Sequence, residues 1–240
     1  MVHLIQEILS LLCCPGRSPA GGVFLILCLL TACSSLPEIR SAEPGVPPNL
    51  RERCLSVFPG GPFQFVHAIE AGMPDDSRVP LTGIVTLDPD RNIIHCVIMS
   101  IEGFTLFDAR HERSVTIDRA VHPFDLPKFA ENMMADIRLI FFPPGGTFVA
   151  AGVFDDGFSG CRFLNPDRLA VDVILTPPQG WIIRQYDGSN RPLRQVRTHA
   201  LNPEGFPVRL DLSRYTFPGY TLKMVLLQSE RLNPGDERLN

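Results

Sequence analysis

The sequence predicts a mainly β (α+β) fold, with about ten strands in a barrel or sandwich and one amphipathic helix. Three observations lead there. From Pro62 onward the dominant spacing of apolar residues is two, the period of side chains on a strand. Turn residues cut these runs at roughly the 8–12-residue spacing of barrels and sandwiches. A single window follows the helical period instead.

The strands come in order. Leu81, Gly83, Val85 and Leu87 alternate with Thr82, Ile84, Thr86 and Asp88. Ile93 to Ile101 is almost wholly apolar, as in a strand covered on both faces. Gly103 to Asp108 and Ser114 to Arg119 follow as the next two strands. In the second half, Leu169 to Leu175, Trp181 to Tyr186, Pro192 to Thr198, Val208 to Leu212 and Tyr220 to Leu227 repeat the pattern. Asp-Pro-Asp, Pro-Pro-Gln-Gly, Asp-Gly-Ser-Asn and Pro-Gly lie between runs as turns. The stretch from Gly145 to Asn165 is left without an assignment.

The helical window is Asp125 to Phe142. Leu126, Phe129, Met133, Ile137 and Ile140 recur at steps of three and four, with Lys128, Glu131, Asn132, Asp136 and Arg138 between them. Asp125 is the expected N-cap, Pro127 fits the first turn, and Pro143-Pro144-Gly145-Gly146 ends the helix. Its apolar stripe can cover the open side of a curved sheet.

Composition excludes several classes. The 240 residues are 45% hydrophobic and 20% charged, the balance of a folded chain rather than a disordered one. A net charge of −4 with no Lys/Arg cluster excludes a basic nucleic-acid surface. No fixed-period repeat is visible.

At the N-terminus Phe24 to Leu30 (FLILCLL) is a short apolar core after Arg17, flanked by Pro19, Gly21, Gly22, Ser34, Ser35 and Pro37. A spanning helix needs about 20 apolar residues, so this reads as a secretory signal. Leu30-Thr31-Ala32-Cys33 resembles the bacterial lipobox. That resemblance implies cleavage between Ala32 and Cys33 and acylation of Cys33, a palmitate-type anchor in membrane lipid. Ser34, in place of an aspartate, implies transfer to the outer membrane, on its periplasmic face. Two or more acyl chains hold a protein stably where one is marginal. The expected organisation is therefore a signal peptide over 1–32, a lipidated Cys33 with a Pro-rich tether over 33–53, a folded body over 54–232 and a tail over 233–240. Cys54, Cys96 and Cys161 remain in the mature chain. Cys96 lies in an apolar run and reads as buried, which favours a Cys54–Cys161 disulfide in an oxidising compartment.

Strands, a central helix and further strands behind a lipobox resemble the LolA/LolB-like fold. The similarity is greatest to a family of outer-membrane lipoproteins often associated with aryl-polyene biosynthesis. It is carried by "TLDPDRNIIHCVIMSIEGFTLFDAR" (Thr86 to Arg110), "FAENMMADIRLIFFP" (Phe129 to Pro143) and "FPGYTLKMVLLQSE" (Phe217 to Glu230). The resemblance implies an incomplete antiparallel β-barrel with a helix as lid, and an apolar cavity for acyl chains. Phe104, Phe107, Phe129, Met133, Ile137 and Trp181 are the candidates to line it, with plain core packing as the alternative for each.

Catalytic chemistry is weakly represented. Gly157-Phe158-Ser159-Gly160-Cys161 approaches G-x-S-x-G, with Cys161 in place of the last glycine and no strand-to-helix elbow. His67, His95, His111 and His122 have no metal-ligand spacing, and Asp155-Asp156 reads as a solvated turn. The expectation is a non-enzymatic protein with no metal and no cofactor that binds or transfers an acyl or polyene lipid. Its partners would be membrane lipid through Cys33, a hydrophobic small molecule and an envelope protein. The alternatives are a non-catalytic assembly or scaffolding lipoprotein, and a thioesterase using Cys161 or Ser159. Substituting Cys33→Ser should leave an unacylated precursor at full precursor mass; normal acylation of that variant by mass spectrometry would overturn the lipobox reading.

Overall fold

The computed structural model describes residues 35–40, 48–126, 128–178, 180–217, 219–233 and 236–239. Ala32, Cys33 and the signal segment lie outside the described residues, as does Pro127. Among the described residues no helix is long and apolar enough to cross a membrane.

Period two becomes one antiparallel sheet. Its strands are β1 (Ile39–Arg40), β2 (Phe63–Gly72), β3 (Arg78–Asp88), β4 (Ile93–Ser100), β5 (Thr105–His111) and β6 (Val115–Ala120), then β7 (Thr147–Phe154), β8 (Ser159–Leu164), β9 (Ala170–Thr176), β10 (Gly180–Tyr186), β11 (Pro192–Leu201), β12 (Pro207–Arg214) and β13 (Tyr220–Arg231). Two helices accompany them, α1 (Leu50–Leu55) and α2 (Phe129–Phe141). The spatial order is β1-β7-β8-β9-β10-β11-β12-β13-β2-β3-β4-β5-β6. Two up-and-down meanders, β2 to β6 and β7 to β13, are spliced side by side where β13 pairs with β2. The sheet stays open between β1 and β6, as an incomplete barrel does.

The structure has thirteen strands among the described residues, where alternation picks out about ten. The unassigned Gly145 to Asn165 stretch supplies the hairpin β7–β8. The helix begins later than expected. Residues 121–126 instead fold as consecutive turns, Phe124 N–H donating to Val121 O and Leu126 N–H to Pro123 O. Lys128, at the N-cap, has a left-handed backbone (φ 65°), and Asp125 pairs with His122 (Nδ1–Oδ1 3.4 Å) instead of capping. Leu126, outside the helix, is exposed.

Part of the stretch read as tether is folded. Leu50 and Cys54 of α1 are buried, and β1 lies against β7. The expected tail also folds back, as a 3₁₀ turn (Glu237–Leu239) that buries Leu239. Arg238 donates to Glu230 (2.8 and 2.9 Å) and to Asp236.

The core lies on the inner face of the sheet. There α2 contributes Ala130, Met134, Ile137, Leu139, Ile140 and Phe141, all buried. Each of the larger side chains contributes about 1.5–3 kcal/mol by leaving water. At the other end α1 is stapled to β8 by a disulfide between Cys54 and Cys161, which lie 107 residues apart. In the chain-entropy account a loop of that length is worth about 4–5 kcal/mol. Replacing both cysteines by alanine should therefore lower the free energy of chemical unfolding by roughly that amount, and should remove the dependence of stability on reductant. Unchanged stability in denaturant titration would show that the bridge contributes nothing.

Candidate functional site

The site to be tested is the space between α2 and the inner face. α2 is fixed there by polar contacts on two sides. Asp136, 1% exposed, takes the Arg194 guanidinium of β11 at 2.6 Å (Nε to Oδ1) and the Tyr220 hydroxyl of β13 on its other oxygen. Arg194 continues to Gln185 at 2.9 Å. Burial pushes the Asp136 carboxyl above the usual range, and the Arg194 charge and the two hydrogen bonds pull it back. Tyr220 is pushed up by burial and by the Asp136 charge. On the other side Arg138 donates to His111 Nδ1 at 2.9 Å and to Asn92. A buried ion pair of this kind adds little net stability over an apolar pair, but losing one partner costs about 3–5 kcal/mol. It therefore fixes where α2 sits.

The packing between α2 and the inner face is largely aromatic. Phe65 stacks on Phe141 with ring centres 4.9 Å apart, and Phe206 meets Phe65 and Phe63 edge-on at 5.0 Å. Phe107 is fully buried and meets Phe129 edge-on at 5.3 Å. Ile137 is buried, Met133 is half-buried against the same core, and Trp181 is buried beside Phe58. Five of the six proposed lining residues thus belong to one apolar cluster. Phe104 does not. The turn closed by Ser100 N–H to Phe104 O and Gly103 N–H to Ser100 O starts β5 only at Thr105, so Phe104 projects outward with 69% exposure.

Two buried polar atoms in this interior have no hydrogen-bond partner among the described residues, His67 Nδ1 and Trp181 Nε1. Both side chains are 2% exposed. A buried polar group left unpaired costs about 1–3 kcal/mol, so such atoms need a reason. His67 lies beside the stacked Phe65 and Phe141 rings, 6.3 and 6.1 Å from their centres, and burial pushes its pKa down to about 4. Sequence reasoning set His67 aside for lack of ligand spacing. The available signal was its place in a period-two run, in phase with Phe63 and Phe65.

The thioesterase alternative loses one of its two candidate nucleophiles. Cys161 is disulfide-bonded and has no thiol to act as nucleophile. Ser159 lies within β8 opposite Val153. His95 pairs with Asp108 at 2.8 Å on the outer face, beside an open hollow of about 240 Å³ that Gln64, Thr86 and Arg238 also line. Among the described residues no group of three His, Cys, Asp or Glu is placed to hold a metal.

No family model matches this chain, and no curated protein matches it. Solved structures similar to it include the following two. A LolA superfamily protein from Nitrosomonas europaea superimposes with a TM-score of 0.49 at 14% identity, over 79% of this chain and 96% of that one. A domain assigned to outer membrane lipoprotein sorting from Vibrio parahaemolyticus gives 0.46 at 8% identity, over 79% and 94%.

His67 makes stability pH-dependent. The unfolded chain takes up this proton near pH 6.5, the folded one only near pH 4. Stability that is complete above pH 6.5 is therefore lost as pH falls through that window, by about 3 kcal/mol. Denaturant unfolding at pH 7 and pH 4.5 should show wild type losing about 2–3 kcal/mol more than His67→Leu. Equal losses would mean that His67 is not held neutral.

Proposed function

We propose that this protein is a periplasmic lipoprotein, anchored to the outer membrane through Cys33, that binds or transfers a hydrophobic acyl or polyene lipid. The observation that carries the binding reading is that two polar atoms, His67 Nδ1 and Trp181 Nε1, have no partner among the described residues in a mainly apolar interior whose other buried polar side chains, such as Asp136 and Thr198, are hydrogen-bonded. Small-molecule sites combine this composition, apolar walls with a few isolated polar groups, to fix the polar end of a ligand. A lipid carboxyl or ester oxygen would accept from the indole N–H, and the neutral imidazole would meet a second polar atom, while the chain lies among Phe65, Phe107, Phe129 and Met133. The anchor and the outer-membrane location rest on Leu30 to Ser34 and on the resemblance those residues carry. An association with aryl-polyene pigments rests on that resemblance alone.

A scaffolding role has one observation in its favour. The Phe63, Phe65, Phe141 and Phe206 rings fill the space near the end of α2 with the protein's own side chains.

Trp181 is the single tryptophan, so its emission reports on the interior directly. A soluble chain lacking residues 1–33 should retain lipid in native mass spectrometry. After delipidation, a conjugated polyene fatty acid should quench Trp181 at one-to-one stoichiometry, and His67→Leu should weaken that binding about tenfold, the equivalent of one hydrogen bond. A chain that carries no lipid, with Trp181 emission unmoved by the polyene acid, overturns the binding reading and leaves the scaffold.

A further inference from the structure

The segment just after the acylation motif is built into the sheet. Ile39 stands opposite Phe154 and Arg40 opposite Val153, so β1 runs antiparallel along the far end of β7. The Ile39 side chain packs into a second apolar cluster, separate from the main core, with Phe154, Ile174 and Ile182 on the outer face. Those three are at most 3% exposed. Beside them Asp172, fully buried, is held bidentately by Arg162 at 2.6 and 2.7 Å. β9 is thus covered on both faces, with every residue buried. Gly152 makes the approach of β1 possible. A Cβ there would lie 2.5 Å from the Arg40 carbonyl oxygen and 2.9 Å from Ile39 Cγ2. Only glycine leaves room for this strand.

The register gives the segment a direction. Because β1 is antiparallel to β7, its N-terminal end, at Ile39, lies opposite Phe154 at the β7–β8-turn end of the sheet. The β9–β10, β11–β12 and β3–β4 turns lie at that same end of the sheet. The opposite end carries the β12–β13, β2–β3 and β4–β5 turns. Their tips include Phe217 (94% exposed), Tyr215, Met73, Ile101 and Phe104, all exposed.

Chain length then decides which end faces a bilayer. From Cys33 to Ile39 is six residue steps, which span at most about 20 Å. The ends of the sheet are further apart than that. β2 has 10 residues and β13 has 12, which at a strand's rise is about 35–40 Å. Were β1 detached, the leash would run from Cys33 to Leu50, 17 steps or about 55–60 Å. Either end could then reach the membrane. We propose that Ile39–Arg40 is a strap that turns the β7–β8 end of the sheet toward the bilayer, holds it within about 20 Å of the anchor, and keeps the apolar hairpin tips facing away. The strap rests on the acylation of Cys33.

The test uses the full-length acylated chain in phospholipid vesicles that carry a headgroup energy acceptor. One donor dye is placed by Asp155→Cys in the β7–β8 turn or by Glu102→Cys in the β4–β5 turn. Among the described residues the native free thiol is Cys96; it is buried, with its pKa pushed up to about 12, and takes no label. Transfer should be several-fold greater from position 155 than from 102. Ile39→Asp, and independently Gly152→Ala, should abolish that difference while the protein stays folded and vesicle-bound. Equal transfer from both positions in the acylated parent, or a difference that survives both strap variants, overturns the strap. A chain whose N-terminal peptide carries no acyl group by mass spectrometry overturns the anchor reading, and the strap's orienting role with it.

Discussion

Pairing of β13 with β2 is the constraint on which the rest of the molecule depends. Each meander is made of hairpins whose partners are neighbours in sequence. Among the described residues the strand pairing that joins the two is the ladder from Thr221 opposite Gly72 to Arg231 opposite Phe63. It closes a chain excursion of about 150 residues, an entropic cost that grows only slowly with loop length. It also pairs two strands that would otherwise both be open edges and templates for aggregation. Its fit is close enough to specify one residue: a Cβ on Gly72 would stand 2.5 Å from Thr221 Oγ1. Without this ladder there is no continuous inner face, and Phe65 and Val85 would not share a core with Phe163 and Val173.

The inner face in turn gives α2 its role. A helix of 13 residues is marginal alone. Burial holds it on the sheet, but apolar contact is non-directional. Asp136 reaches across to the second meander and Arg138 to the first, so the helix bridges both halves and has one preferred seating. The same residues that define the core therefore define the geometry of any site within it.

Much of this was legible in the sequence. Alternation and turn chemistry place the strands from Leu81 to Asp88 and from Leu169 onward, because most of them have one buried face and one open face, β9 being buried on both. β7 and β8 escape notice because TFVAAGVF and SGCRFL mix small residues with apolar ones, and Gly152 and Gly160 sit where neighbouring backbones approach closely. The helix stripe is correct from Phe129 onward. Its start is not, because the pattern at Leu126 continues in sequence while the backbone turns at Lys128. Phe104 shows the same limit: it lies next to a strand, not in one. The interior was legible as a set of apolar candidates, whereas the clamp from Asp136 to Arg194 and Tyr220 was not. Those residues are 58 and 84 positions apart in sequence, and only the sheet order brings them together.

The disulfide between α1 and β8 has a consequence in time. Between Cys54 and Cys161 lie the whole first meander, α2 and β7. In a chain delivered through a membrane with its N-terminus first, the earlier sulfur arrives long before its partner. The bond can form only after some hundred intervening residues have crossed, by which time the first meander is free to fold. The bridge thus works as a time stamp. For a chain delivered in that way, an oxidised Cys54–Cys161 pair would mark a molecule whose delivery had already passed residue 161.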